Sequence, residues 1–200
     1  VSIISKTNSP IIRPPNYIRV PSKWFKNNAE KIINELDEKA VPGTTVNNNI
    51  SARVSDVFLW DIWKLNLTDL QKVIIYKLKE IFIEENKRYN FDLDYSSINV
   101  QYTKYLEGGY YIWHTDDDFG SVNKKHQNVR KLSITTPLNV GSFEGGDLQI
   151  ILNNQEEPRT MRFEYGDIVI FPSYTQHQIT PVTKGIRYSL VSWISGPPWR

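Results

Sequence analysis

Cysteine is absent from the 200 residues. That excludes a disulfide framework, a thiolate metal site and a cysteine nucleophile, and it fits a reducing compartment. Long apolar runs are missing too: none approaches the roughly 20 residues of a membrane-spanning helix. The opening VSIISKTNSPIIRPP lacks a basic head followed by an apolar stretch, so it does not read as a signal peptide. A cytoplasmic location with no membrane contact is the expectation, and the sequons at Asn49 and Asn66 then carry little weight. Charge of one sign is scarce. The formal net charge is +2, lysines and glutamates are intermixed, and no basic block argues for nucleic acid. Internal repeats and low-complexity tracts are also lacking. What the chain does have is core-forming material: 40% hydrophobic residues, with 6 Trp, 11 Tyr and 8 Phe. A chain of this size buries roughly 70% of the surface its unfolded form exposes. One domain over residues 1–200 is expected.

The texture changes near residue 95. In the first part, Ser22 follows Pro21 as a candidate cap for a helix running to about Ala40. Trp24, Phe25, Ala29, Ile32, Ile33 and Leu36 recur along it at helical spacing. Val41-Pro42-Gly43 stops this helix. A second one is expected from Thr68, because Thr68 and Gln71 have the spacing of a capping box, in which each side chain satisfies a free amide of the first turn. Leu70, Val73, Ile74, Leu78 and Ile81 make its buried stripe. Between the helices, a strand is expected around Arg53 to Leu59.

The second part reads as short strands over 98–105, 110–114, 131–138, 147–152, 168–171 and 187–194. Gly108-Gly109, Gly145-Gly146, Gly166-Asp167 and Lys184-Gly185 punctuate them. Helices grouped early and strands grouped late argue against an alternating parallel-sheet fold and for a sandwich or jelly roll. The expected class is mainly β with N-terminal helices (α+β). Residues 1–94 form a helical part packed on one sheet, and residues 95–200 form the barrel-like catalytic core.

Only three histidines occur: His114, His126 and His177. His114 opens the run His-Thr-Asp-Asp-Asp. In an extended segment residues two apart share a face, so His114 and Asp116 can reach one ion while Asp117 points away. His177, far along the strand-rich part, is the candidate third ligand. Two histidines and a carboxylate on one side of an octahedron form the facial triad of non-haem iron(II) oxygenases, with three positions open. A chelating 2-oxo acid takes two and dioxygen the third. The far carboxylate of such a cosubstrate needs a fixed cation, and the planar fork of arginine suits it. Arg187 lies ten residues after His177, with Pro181 and Gly185 between, room for a strand, a turn and a return strand. On that return strand Arg187, Ser189, Val191 and Trp193 share one face. A lone His-x-Asp is weak evidence, since single histidines are mostly structural; the joint pattern is specific. Asp117 and Asp118 read as solvated loop acids, and His126, in SVNKKHQNVRK, as an exposed loop residue.

The ordered set Tyr105-x-x-Gly108, His114-x-Asp116, Gly145-Gly146, Gly166-Asp167, Phe171-Pro172, His177 and Arg187 resembles the prolyl-4-hydroxylase-type dioxygenases. The segment HQITPVTKGIRYSLVSW is similar to their bacterial and phage PKHD-type branch. The resemblance covers about residues 95 to 195. It implies a double-stranded β-helix with iron at its open end, held by His114, Asp116 and His177. It further implies 2-oxoglutarate on Arg187, with Tyr105, Ser133 and Ser189 as further cosubstrate contacts. Tyr111, Trp193 and Arg53 are the candidate substrate contacts. A tyrosine that holds the far carboxylate in animal oxygen-sensing members corresponds here to Pro137. The implied reaction is hydroxylation of an unactivated C–H bond with release of succinate and CO2, using Fe(II), 2-oxoglutarate and O2, with ascorbate as a reductant. A peptidyl proline is the leading substrate, with free amino acids, other peptide residues and small metabolites as alternatives.

Two rival functions stand beside this one. Nucleic-acid demethylases with the same cofactors carry a second arginine six residues after the first, and Trp193 occupies that position here. A non-enzymatic cupin-like sugar or metal binder favours His-x-His with a further glutamate, whereas this chain has His-x-Asp.

Overall fold

A computed structural model describes residues 14–43, 52–117, 128–152 and 156–199. His126, Asp118 and the Asn49 sequon lie outside the described residues. The N-terminal part supplies β1 (Ile18–Pro21), α1 (Lys23–Leu36), β2 (Val41–Pro42), β3 (Arg53–Val54), β4 (Asp56–Asp61) and α2 (Asp69–Tyr89). Next come β5 (Asn99–Tyr105), β6 (Tyr110–His114), β7 (Val129–Pro137), β8 (Phe143–Gly145) and β9 (Leu148–Ile150). The chain closes with β10 (Arg159–Thr160), β11 (Asp167–Pro172), β12 (His177–Ile179), β13 (Val182–Gly185) and β14 (Arg187–Gly196). It is mainly β with two helices, as its sequence implies.

Both helices start where their capping residues stand. Ser22 Oγ accepts from the Phe25 amide at 3.3 Å. Thr68 and Gln71 close the full capping box, each side chain accepting from the other's backbone N–H. Helix α1 ends at Leu36 rather than near Ala40. Residues 37–39 tighten into a 3-10 turn, and the Asp37 carboxylate reaches Lys104 Nζ at 2.9 Å and the Tyr102 hydroxyl at 3.2 Å. At the other helix end, Asn90 takes the left-handed conformation (φ 55°) that terminates α2.

Hydrogen bonding orders one sheet β1-β11-β7-β14-β5-β4-β2 and a second β10-β9-β12-β6-β3, with β13 paired to β8. All the pairings are antiparallel. Strands from before residue 95 join both sheets: β1 pairs with β11, β4 with β5, and β3 with β6.

Alternation along the strands sorts the side chains into two cores. Val100, Tyr102, Leu132, Ile134, Ile168, Ile170, Leu190 and Ile194 face the helices. There they pack on Phe25, Ala29, Ile32 and Leu36 of α1 and on Leu70, Ile74, Leu78 and Phe82 of α2. The opposite face of the large sheet contributes Tyr105, Val169 and Phe171 to a smaller core against Leu148, Ile150 and Ile179 of the second sheet. The polar residues of interest project into this second space. The helices back one sheet and leave its other face free to form a cavity with the second sheet.

Candidate metal centre

The pairing of β6 with β12 puts His114 opposite His177. Between that pair and the next, Tyr111 opposite Ile179, β6 has one residue more than β12. A bulge of this kind re-aims side chains. Here it brings Tyr111 and His114, three apart in sequence, onto the same side, with ring centroids 3.6 Å apart and planes 17° from parallel. Asp116 follows just past the end of β6, its amide held by the Ser173 carbonyl at 2.8 Å.

Three donor atoms converge there. His114 Nε2 lies 3.7 Å from Asp116 Oδ1, and His177 Nε2 lies 3.5 Å from Asp116 Oδ2. One ligand atom from each residue falls within 4.8 Å of the others, so a single cation between them meets all three. The tautomers are set by the opposite ring edges: His114 Nδ1 is 2.8 Å from the Ile112 carbonyl and His177 Nδ1 is 2.8 Å from the Thr175 carbonyl. A carbonyl only accepts, so each Nδ1 carries the proton and each Nε2 offers its lone pair inward. Ser133 Oγ donates to Asp116 Oδ2 at 2.7 Å and lies 2.9 Å from Ser173 Oγ, which fixes the carboxylate plane.

Protonation states agree with a ligand set. Burial, and next the neighbouring His177, push the His114 pKa down to about 4. For Asp116, burial acts upward, but His177, His114, Arg130 and the Ser133 hydrogen bond outweigh it and hold the carboxyl below its ordinary value. A neutral imidazole and an ionised carboxylate at neutral pH are the forms that bind metal.

The triad borders a cavity of about 350 Å³, which Arg53, Tyr105, Tyr111, Arg130, Thr135 and Trp193 also line. Arg187 sits opposite Tyr105, a wall residue of this cavity, in the β14–β5 register. Its guanidinium lies 5.4 Å from the Tyr105 ring centroid, and its NH1 donates to Ser189 Oγ at 2.9 Å. Only 2% of the residue is exposed, and among the described residues no carboxylate comes within ion-pair distance. Arg187 borders a second cavity of about 380 Å³, and Leu148 lines both cavities. A buried guanidinium without a counterion is costly, and an anion from outside the chain would offset that cost.

Residues 100–195 match the sequence model of the family described as the 2OG-Fe(II) oxygenase superfamily. Over this stretch the chain is similar to members of that superfamily. Within it, the chain is 33% identical over 95 residues to a PKHD-type hydroxylase of Idiomarina loihiensis, covering 48% of this chain and 41% of the relative. It is 37% identical over 101 residues to a PKHD-type hydroxylase of Parvibaculum lavamentivorans, covering 48% and 42%. The chain thus spans about two fifths of the length of the curated relatives it matches. Among solved structures, a Pseudomonas putida prolyl-4-hydroxylase superposes with a TM-score of 0.69 at 18% identity, covering 90% of this chain and 92% of the other. A Trichoplax adhaerens prolyl hydroxylase in complex with a hypoxia-inducible-factor peptide gives 0.69 at 15%, covering 90% and 83%. At these identities the likeness establishes the shared fold. The donor set of two imidazoles and one carboxylate fits Fe(II), and Arg187, with no ion-pair partner among the described residues, fits a carboxylate of 2-oxoglutarate.

The structure brings together His114, Asp116, His177, Tyr105, Tyr111, Trp193 and Arg53 on one cavity, and Arg187, hydrogen-bonded to Ser189, stands beside its wall residue Tyr105 and lines a neighbouring cavity. The hydroxyl of Ser133, which the resemblance makes a cosubstrate contact, donates to Asp116 Oδ2 in this structure. Pro137 faces Ser189 across the β7–β14 pairing and contributes no hydroxyl. Sequence reasoning missed Ser173, Thr175 and Arg130. Arg130 was hidden in a polar run read as loop, although Val129-Arg130-Lys131 already belongs to β7.

Proposed function

We propose that this chain is an Fe(II)- and 2-oxoglutarate-dependent dioxygenase that hydroxylates an unactivated C–H bond, with a prolyl residue of a peptide or protein as the substrate of first choice. On this reading the two antiparallel sheets form a double-stranded β-helix, or jelly roll, with the metal at its open end. The observation that carries the reading is the convergence of His114, Asp116 and His177 at a cavity whose wall residue Tyr105 has beside it a buried arginine, Arg187, with no counterion among the described residues. A lone metal-binding module has no use for that arginine. Support for the substrate class comes from the names of similar proteins: the fold neighbours include prolyl hydroxylases, one of them solved with a peptide.

His114, Asp116 and His177 would hold the iron, and Arg187 with Ser189 would hold the distal carboxylate of 2-oxoglutarate. The bound pair supplies the oxidising chemistry: with O2, 2-oxoglutarate becomes succinate and CO2 and one oxygen atom enters the substrate. The chain's own task is geometry and exclusion of water. Ser133 and Ser173 hold the Asp116 carboxylate in one orientation, and the Ile112 and Thr175 carbonyls fix both imidazoles. Tyr105, Leu148, Phe171 and Ile179 wall the cavity with apolar surface. No side chain is required as a general base.

The test is 2-oxoglutarate turnover to succinate by Fe(II)-loaded protein, followed by a mass-resolved screen of proline-containing peptides for the gain of one oxygen atom. Turnover that disappears in His177→Ala supports the reading. Turnover surviving that substitution removes the ligand assignment, and a peptide screen without products while turnover persists removes the prolyl substrate.

A further inference from the structure

Two cationic side chains in the cavity are left over once the metal and the cosubstrate are provided for. Arg53, on β3, is 7% exposed and lines the cavity. Its Nε donates to Ser55 Oγ at 2.6 Å, and its guanidinium lies 5.0 Å from the centroid of the Tyr111 ring. Tyr111 in turn stacks on His114, so Arg53 is the outer layer of a pile that ends on a metal ligand. Arg130, at the start of β7, approaches from the other sheet. Its guanidinium lies 4.0 Å from the Trp193 ring centroid, and its NH1 is 3.5 Å from the Asp116 carbonyl. Among the described residues, neither arginine has an ion-pair partner, and Asp116 is the only carboxylate lining the cavity. Trp193 adds a buried indole N–H without an acceptor.

The charges decide what this arrangement favours. A divalent ion, the Asp116 carboxylate, the Arg187 guanidinium and doubly ionised 2-oxoglutarate balance to zero. Arg53 and Arg130 then leave two positive charges facing a low-dielectric cavity. Flat aromatic faces hold both guanidiniums in place, so their donor forks are pre-organised, which suits planar recognition of a carboxylate. A neutral prolyl segment alone would leave both unpaired beside a cation.

We infer that the substrate carries a carboxylate, which Arg130 and Arg53 bind at the mouth of the cavity while the carbon to be hydroxylated faces the metal. This rests on the dioxygenase reading and narrows its substrate to acidic compounds: a peptide with Asp or Glu beside the target residue, or a small molecule with a free carboxylate. Leu59, Val191 and Trp193 provide the apolar shelf for the rest of it.

The test is equilibrium binding to protein loaded with redox-inert Zn(II) and 2-oxoglutarate. The probes are labelled proline peptides that differ only by Asp or Glu against Asn or Gln beside the proline, and L-proline against L-prolinamide. Affinity for 2-oxoglutarate is measured separately by calorimetry. Carboxylate-bearing probes are expected to bind about tenfold or more tightly than their amide partners, in keeping with a charged hydrogen bond. The preference should vanish in Arg130→Gln and Arg53→Gln, return in part in Arg130→Lys, and leave 2-oxoglutarate affinity unchanged. Preference for the acidic peptides assigns the carboxylate to a side chain, and preference for L-proline assigns it to a small molecule. Equal binding of acid and amide probes with 2-oxoglutarate affinity intact overturns this inference alone. Loss of 2-oxoglutarate affinity in the arginine variants also overturns it, by giving these arginines to the cosubstrate. Wild-type protein that fails to bind 2-oxoglutarate overturns the dioxygenase reading instead.

Discussion

Replacing Arg187 by methionine separates what the arginine does for folding from what it does for the cosubstrate. In the protein without 2-oxoglutarate, Arg187 is a buried cation with Ser189 as its hydrogen-bonded partner and burial acting against its charge. Methionine fills a similar volume and removes that charge, so the variant should fold at least as stably as the parent. Cosubstrate binding reverses the comparison. Losing one side of a buried, charge-assisted pair costs about 2–4 kcal/mol, or about 30- to 1,000-fold in Kd. At 2-oxoglutarate equal to a hundred times the parent Kd, linkage stabilises the parent by about 2.7 kcal/mol. In a domain of this size that raises Tm by roughly 5–10 °C. The variant should gain less than about 1 kcal/mol at the same concentration. The assay is a pair of melting curves for each protein, with Zn(II) present and 2-oxoglutarate absent or added. A variant that melts far below the parent without 2-oxoglutarate, yet gains the same shift on its addition, would refute the reasoning, because Arg187 would then be structural.

Three further outcomes follow from the same geometry. Ser133→Ala removes the donor that orients Asp116 and leaves the ligand itself in place; metal affinity should fall about 10- to 100-fold by calorimetry, with 2-oxoglutarate affinity of the metal-saturated protein little changed. Gly146 has φ +61°, and a Cβ there would lie 2.8 Å from Arg187 Cδ and 3.0 Å from Val182 Cγ2. Gly146→Ala should therefore cost about 1–2 kcal/mol of stability and weaken 2-oxoglutarate binding while sparing metal binding. The third outcome concerns pH. His114 is neutral in the metal-free fold, with a pKa of about 4 against about 6.5 when unfolded. Its contribution to stability is complete above pH 6.5 and is lost as pH falls toward 4, in total about 3 kcal/mol. Chemical denaturation of metal-free protein between pH 7 and 4 should show that loss, and His114→Gln should flatten it.

The site was legible because its chemistry is concentrated in rare residues. With three histidines and one His-x-Asp, the ligand set had few alternatives, and the ten-residue offset to Arg187 fitted a strand, a turn and a return. The helix starts were legible from Ser22 and from the Thr68–Gln71 box, since capping is a local matter. What depended on tertiary pairing was not. Strand β1 has only four residues and exists because β11 offers an open edge, and Val41-Pro42 reads as a helix stop while also pairing with β4. The α2 stripe turned toward Ile75, Phe82 and Tyr89 and left Val73 on the surface, because the large sheet lies across the helix. The bulge that stacks Tyr111 on His114 has no glycine or proline to announce it. Ser133 shares the inner face of β7 with Thr135, so alternation alone could not say whether its hydroxyl meets the cosubstrate or the carboxylate ligand.

The central claim, that two imidazoles and one carboxylate hold an iron to which 2-oxoglutarate chelates, is tested most directly by anaerobic titration of the metal-free protein with Fe(II) and then 2-oxoglutarate. A weak visible charge-transfer band that saturates at one equivalent of each, and is absent from His177→Ala and from Asp116→Ala, is the predicted result. A folded protein that binds Fe(II) at one equivalent but develops no band with 2-oxoglutarate, or that keeps the band in either variant, would contradict it.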